Sequence, residues 1–297
     1  MSALLNTILP VALIVALGYV VGRRFEIDAP TLSRIILHLL VPALIFDAMY
    51  NARLGSGSVV GLTLGFALAY AALGLLSWLV ALATRLPKPT AKTLVTAALS
   101  PNSGNMGLSM ALFALGQEGL ERAVVYFIAS SVLMFGIIPA FLRGGNPAQS
   151  LAFTLKLPMF WALAGGLAFK GLGLEFPFNL EAGVHLVGQA CIPLMLLTLG
   201  IQIAKNPVQI GGFELLASGL RLLGAPALAV GAGHLLGLER LDIQVLALQS
   251  AMPIAVNAFM VVAEFGGDAP RAARSVVLSS VLAFLTIPLV LLAVGVG

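Results

Sequence analysis

The sequence is short of charge. Only 9% of its 297 residues are Asp, Glu, Lys or Arg, where a soluble globular domain carries about 25%. That deficit excludes a soluble enzyme, a disordered chain and a nucleic-acid binder. Cysteine is almost missing. The single Cys191 permits no internal disulfide. Histidine is scarce, and no grouping of His, Cys and carboxylates has metal-ligand spacing, so neither a metal nor a cofactor is expected. No Ser, His and Asp arrangement marks an intramembrane hydrolase, so no enzymatic activity is expected either.

What fills the chain is hydrocarbon. Hydrophobic residues make up 60% of it, and the mean hydropathy is +1.05. The implied solvent is lipid, in which a spanning helix needs about 20 apolar residues. Apolar runs fall at 3–22, 30–50, 58–84, 92–116, 121–142, 150–170, 183–204, 209–237, 241–265 and 270–295, which predicts ten helices. A membrane barrel would instead alternate polar and apolar residues over strands of about 10. Short loops leave no room for a soluble domain.

The first run is not a cleaved signal peptide by its flanks. Its basic pair, Arg23-Arg24, follows the apolar stretch instead of preceding it. The run is read as a retained helix with its N-terminus outside. Eleven basic residues then fall in cytoplasmic loops and flanks: Arg23, Arg24, Arg34, Arg85, Lys88, Lys92, Arg143, Lys156, Lys205, Arg271 and Arg274. Four fall outside: Arg53, Arg122, Lys170 and Arg240. This bias suits a cell (inner) membrane protein, and the net charge of +4 follows from it. An even helix count puts both termini outside the cytoplasm.

The two halves resemble each other. Residues 130–139 (SSVLMFGIIP) match residues 279–288 (SSVLAFLTIP) at seven of ten positions, shifted by 149. Leu9-Pro10 matches Leu157-Pro158, and Pro42 matches Pro193. Pro101 and Asn105 match Pro253 and Asn257, both shifted by 152. Shared composition does not explain landmarks in one order at nearly one offset. The units are residues 1–149 and 150–297. Each holds five helices, an odd number, so the second enters the membrane inverted. Inverted repeats point to secondary transporters.

Two helices read as broken. The fourth contains Ser100-Pro101-Asn102-Ser103-Gly104-Asn105, and the ninth contains Met252-Pro253-Ile254-Ala255-Val256-Asn257. Proline removes a backbone donor and clashes with the preceding turn. Irregular backbone at membrane depth survives only where it is buried or lines a cavity. Paired interruptions are the best sequence pointer to a transport site. The half-helix after each break offers free N–H groups and a positive dipole end. Asn102, Ser103, Asn105 and Asn257 add neutral donors, a set suited to a carboxylate. Gln249, one turn before Pro253, is a further candidate.

Ionisable residues inside spans are functional candidates by default. His38, Asp47 and Arg221 are the candidates for a proton or charge role; the bland alternatives are a buried hydrogen bond, an interfacial position and a structural or snorkelling arginine. Glu214 near the start of the eighth helix suits the helix dipole. Glu264 closes the ninth helix at the expected cytoplasmic interface. His185 and His234 are read as interfacial, and Met195, Met252 and Met260 as packing.

At Pro101-Asn102-Ser103 with Gly107, at Gln249-Ser250-Ala251-Met252-Pro253 with Ala263-Glu264-Phe265, and from Arg34 to Pro42-Ala43-Leu44-Ile45-Phe46, the chain resembles the auxin efflux carrier family. That family includes bacterial organic-acid permeases and plant PIN-type auxin transporters. The resemblance implies an all-α polytopic membrane protein of ten transmembrane helices in two inverted five-helix repeats. The broken helices 4 and 9 would cross at mid-membrane. It further implies a scaffold of helices 1, 2, 6 and 7 that forms a homodimer. Helices 3–5 and 8–10 would form a transport unit that moves like an elevator. Asn102 resembles a substrate-binding asparagine of the crossover. Two features depart from the plant pattern: residues 143–150 allow only a short turn between the halves, and the third helix has no obvious acid.

The expected function is secondary transport of small organic anions, such as malonate, malate or auxin-like acids. Pro101, Asn102, Ser103, Asn105, Gln249, Pro253, Ile254 and Asn257 form the expected substrate site. Alternatives are a sodium- or proton-coupled carrier of the bile-acid-symporter-like fold, a channel, or a non-transporting receptor. Cation coupling would call for carboxylates beside the crossover, and neither break contains one.

Overall fold

The computed structural model describes residues 2–52, 54–139, 155–206, 208–264 and 266–296. Arg53, Arg143, Phe265, the 143–150 turn and the facing ends of the fifth and sixth runs lie outside the described residues. The described elements are helical: α1 (Ser2–Arg24), α2 (Ala29–Asn51), α3 (Ser56–Ala83), α4 (Lys88–Leu99), α5 (Ser103–Ile137), α6 (Pro158–Gly171), α7 (Pro177–Lys205), α8 (Gly212–Leu235), α9 (Arg240–Ser250), α10 (Val256–Glu264) and α11 (Ala269–Ala293). Six of them, α2, α3, α5, α7, α8 and α11, are long and apolar enough to cross a membrane. Many outward side chains are large and apolar, among them Leu13, Trp78, Trp161, Leu285 and Leu289. That is the surface a lipid solvent selects.

Proline shapes several helices. Wide π turns occupy Ile36–Leu40, Leu133–Ile137 and Leu220–Gly224. Each lies two residues before a proline: Pro42, Pro139 and Pro226. A proline ring collides with the carbonyl four residues earlier and leaves it without a donor. Those carbonyls belong to His38, Phe135 and Leu222, inside the widened turns.

α5 is two helices in one run. Its 35 residues would span about 52 Å if straight, well beyond a hydrocarbon core of about 30 Å. Gly116 breaks it, with φ 68° and ψ −164°. A side chain is strained there, and glycine is not. The chain turns back on itself at that point: the Ser103 and Ser130 hydroxyls sit 2.7 Å apart. In a continuous helix they would be about 40 Å apart.

Small residues set the closest approaches. α1 packs along α7. A Cβ on Gly18 would lie 2.2 Å from the Leu197 carbonyl oxygen, and one on Gly200 would lie 2.1 Å from that of Val15. α2 packs on α6, where a Cβ on Gly166 would lie 2.8 Å from the Phe46 carbonyl oxygen. Phe46, Tyr50, Phe169 and Phe176 stack around that contact. Separately, α3 packs on α4, α5 and α8, α8 also packs on α9 and α11, and α9 packs on α5. Two ion pairs tie this second group: Arg122 Nε donates to Asp242 Oδ1 and Arg274 Nε to Glu214 Oε1, both at 2.7 Å. Glu214 thus serves the start of α8 both as a dipole partner and as an inter-helix link.

Candidate functional site

The backbone leaves helix twice at matching places. α4 stops at Leu99, and Ser100 (φ −113°, ψ 83°) and Asn102 (φ −78°, ψ 51°) are non-helical. α9 stops at Ser250, and α10 begins at Val256. The two extended stretches run antiparallel past each other and pair at Pro101 and Ile254. Asn102 N–H donates to the Pro253 carbonyl at 2.7 Å, and Ala255 N–H donates to the Ser100 carbonyl at 2.9 Å. Ile254 N–H donates to Ser279 Oγ at 3.0 Å. Each break thus satisfies the other's backbone, which a water-free interior requires. The repeated serines acquire a task here: Ser130 holds Ser103 after the first break, and Ser279 holds Ile254 inside the second. Ser279→Ala should leave the Ile254 N–H buried and unpaired at a cost of about 1–3 kcal/mol. A lower melting temperature in detergent would report it; an unchanged one would remove this role.

A cavity of about 880 Å³ opens beside the crossing. Pro101, Asn102, Ser103, Asn105, Ser130 and Asn257 form part of its wall from α5, α10 and the first break. Gln202 and Met195 of α7 and Met159 of α6 face them. Phe127, Met134, Phe135 and Met260 make the rest largely apolar. Exposed Arg34 and Glu264 also border it. Asn102 is 4% exposed, and its amide nitrogen has no protein partner. The Gln202 amide oxygen is likewise buried and unpartnered. Asn105 and Asn257 are half-buried, unlike the buried residues flanking Asn105. The first turns of the half-helices after the breaks carry N–H groups without intrahelical acceptors. The Asn102 carbonyl accepts from both Met106 N–H and Gly107 N–H, so α5 starts as a wide turn. The arrangement offers neutral hydrogen-bond donors beside the crossing, the Gln202 amide opposite them, largely apolar surface between, and a charged border of Arg34 and Glu264.

The other sequence candidates lie elsewhere. Pro253 and Ile254 build the crossing but are buried and do not line the cavity. Gln249 is 0% exposed, packed on the α5 backbone at Gly107, and off the cavity wall. A Cβ at Gly107 would lie 2.2 Å from Gln249 Oε1. His38 sits on an exposed face between Ile35 and Leu39, its Nδ1 3.1 Å from the Arg34 carbonyl oxygen. Asp47 Oδ2 is 2.9 Å from His185 Nδ1, and His185 Nε2 is 2.7 Å from Gln189 Nε2. This chain of polar groups joins α2 to α7 away from the cavity, and it gives His185 a partner that sequence did not suggest. Arg221 is fully buried and reaches the Ala98 and Ser250 carbonyls. Among the described residues no three His, Cys or carboxylate groups could hold a metal ion.

Arg34, Gln202, Ser130 and Glu264 line the cavity outside the expected substrate site. Arg34 and Ser130 carried signals, one in the family-like motif of the second helix and the other in the repeat. Gln202 carried the signal of a polar side chain inside an apolar run.

The family model described as "Membrane transport protein" matches residues 3–143 and 149–291. An "Uncharacterized transporter" of Methanothermobacter thermautotrophicus is 29% identical over 96% of each chain. Another from Methanocaldococcus jannaschii is 24% identical over 96% of this chain and 97% of its own. A Rhizobium meliloti protein named "Putative malonate transporter" is 23% identical over 63% of this chain and 62% of its own.

Proposed function

From the premise that this chain belongs to the membrane transport protein family, the auxin efflux carrier-like group, we propose that it carries small organic anions across the membrane. The carrying observation is the buried, unpartnered Asn102 amide nitrogen on the wall of the cavity beside the crossing. A buried donor without an acceptor costs about 1–3 kcal/mol. A carboxylate in the cavity would supply that acceptor. The half-helix N-termini and the Asn105 and Asn257 amides would complete a neutral anion site. The relative named for malonate supports the carboxylate class.

The proposed architecture is ten spans in two inverted repeats. Its support is a contact pattern that repeats: the first span packs on the seventh as the sixth packs on the second, and α3 packs on α4 as α8 packs on α9. The proposed motion is an elevator, with the first, second, sixth and seventh spans as a scaffold shared in a homodimer. It is supported by the cavity's position. α2, α6 and α7 form one side and the crossing the other, so the site lies on the seam along which the units would slide. The proposed topology keeps both termini outside the cytoplasm.

A compact diacid would fill only part of about 880 Å³. The test panel therefore runs from malonate and malate to indole-acetate-like acids. Purified protein in liposomes should take up at least one labelled acid saturably, and uptake with imposed proton, sodium and voltage gradients would identify the driving force. Absence of saturable uptake for every acid under every gradient would remove the organic-anion reading.

A further inference from the structure

Arg221 lies within a π turn of α8 and is fully buried. Its Nη1 donates to the Ala98 carbonyl at 2.7 Å, and its Nη2 donates to the Ser250 carbonyl. Ala98 is in the last turn of α4, and Ser250 is the last residue of α9. These are the two half-helices that end at the crossing. The guanidinium carbon also stands 5.3 Å from the centre of the Tyr70 ring. The Tyr70 hydroxyl meets that of Tyr126 at 2.6 Å, and Tyr126 meets Ser250 Oγ at 3.0 Å. One cation therefore gathers α3, α4, α8 and α9 at a single point behind the site.

The electrostatics are matched. A helix C-terminus carries roughly −0.5 charge. Two such ends converging would place about one negative charge in an interior that excludes water, and the guanidinium supplies one positive charge. In carriers built on broken helices, the carbonyl ends of half-helices hold the coupling cation. Here that position already contains a side-chain cation. We infer that Arg221 is a tethered cation that occupies the cation position of the crossing, so the crossing needs no bound metal ion to hold together and the carrier runs without sodium. The second half of this statement rests on the transporter reading; the first does not.

The test separates the two halves. The purified protein is unfolded thermally in detergent with sodium, guanidinium at sub-denaturing concentration, or N-methylglucamine as the only cation. The wild-type melting temperature should be the same in sodium and N-methylglucamine. Arg221→Ala should melt lower, and small cations that fit the vacated space, guanidinium above all, should restore part of the loss where the bulky N-methylglucamine does not. Arg221→Ala melting like wild type, or showing no selective recovery, would overturn the inference. Should Arg221→Ala fail to fold, Arg221→Lys and Arg221→Met decide: Lys keeps the charge and Met only the bulk. Lys should be the more stable, and equal stability would overturn the inference. In liposomes, wild-type uptake should be unchanged when sodium is replaced. Sodium-dependent uptake would overturn the tethered-cation role in transport. No uptake of any acid would defeat the transporter reading and leave the melting result as the judge of the structural half.

Discussion

Asn105→Ala combined with Asn257→Ala should lower substrate affinity by roughly 100-fold or more while the protein stays folded. Both side chains line the cavity and are half-buried, so truncation empties no packed core. What it removes is two amide donors. A hydrogen bond to a charged group is worth about 1.5–3 kcal/mol, and each 1.4 kcal/mol is about tenfold in affinity. Two such losses give about 3 kcal/mol at the low end. Each single variant should lose about tenfold, and the pair should be at least additive if one carboxylate bridges them. The effect should appear in KM or in direct binding. The melting temperature without substrate should move little. Asn102→Asp is the sharper companion. It replaces a buried donor with a negative charge facing the same cavity, and uptake of an anion should vanish. A double alanine variant with wild-type uptake would show that the acid binds elsewhere.

The breaks were legible because proline and asparagine are poor residues for a helix interior, and they recur at one offset in both halves. The way the breaks close was not legible. The bridge between Pro101 and Ile254 joins stretches about 150 residues apart, and no local pattern encodes that pairing. Side-chain direction was the weakest part. Gln249 is one turn from Pro253 and suited the site by spacing, yet it points to Gly107. His38 lies in a π turn, where an extra residue rotates all that follow relative to a regular 3.6-residue count. Such insertions defeat helical-face arguments even when the helix itself is read well. Arg221 illustrates a different gap. Its type and depth marked it as unusual, but its acceptors are backbone carbonyls, and every residue carries a carbonyl. The limits of the run at 92–116 were legible too: the interruption expected at Pro101 follows directly on the end of α4 at Leu99, and the end of the run coincides with the reversal at Gly116.

Gly200→Ala should cost about 3 kcal/mol or more, the upper end of what overpacking does. A Cβ there would stand 2.1 Å from the Val15 carbonyl oxygen and 2.6 Å from the Tyr19 nitrogen. Both atoms are backbone of α1, so no rotamer change relieves the clash and the helices must separate. Gly18 faces the same seam from the other side, with a Cβ position 2.2 Å from the Leu197 carbonyl oxygen. Separation forfeits the close packing along α1 and α7, which in lipid is itself a main source of helix association, since no hydrophobic force drives apolar helices together there. It would also disturb the proposed site, because α7 presents Met195 and Gln202 to the cavity. Gly183→Ala is the control on the same helix. Nothing lies within 4 Å of its added Cβ, and alanine in a helix is favoured over glycine by about 0.5–1 kcal/mol, so that variant should melt at or slightly above wild type. The expected pattern is a loss of monodisperse, folded Gly200→Ala protein beside a normal Gly183→Ala protein. If both melt like wild type, α1 and α7 do not pack through these glycines, and the proposed scaffold loses its main support.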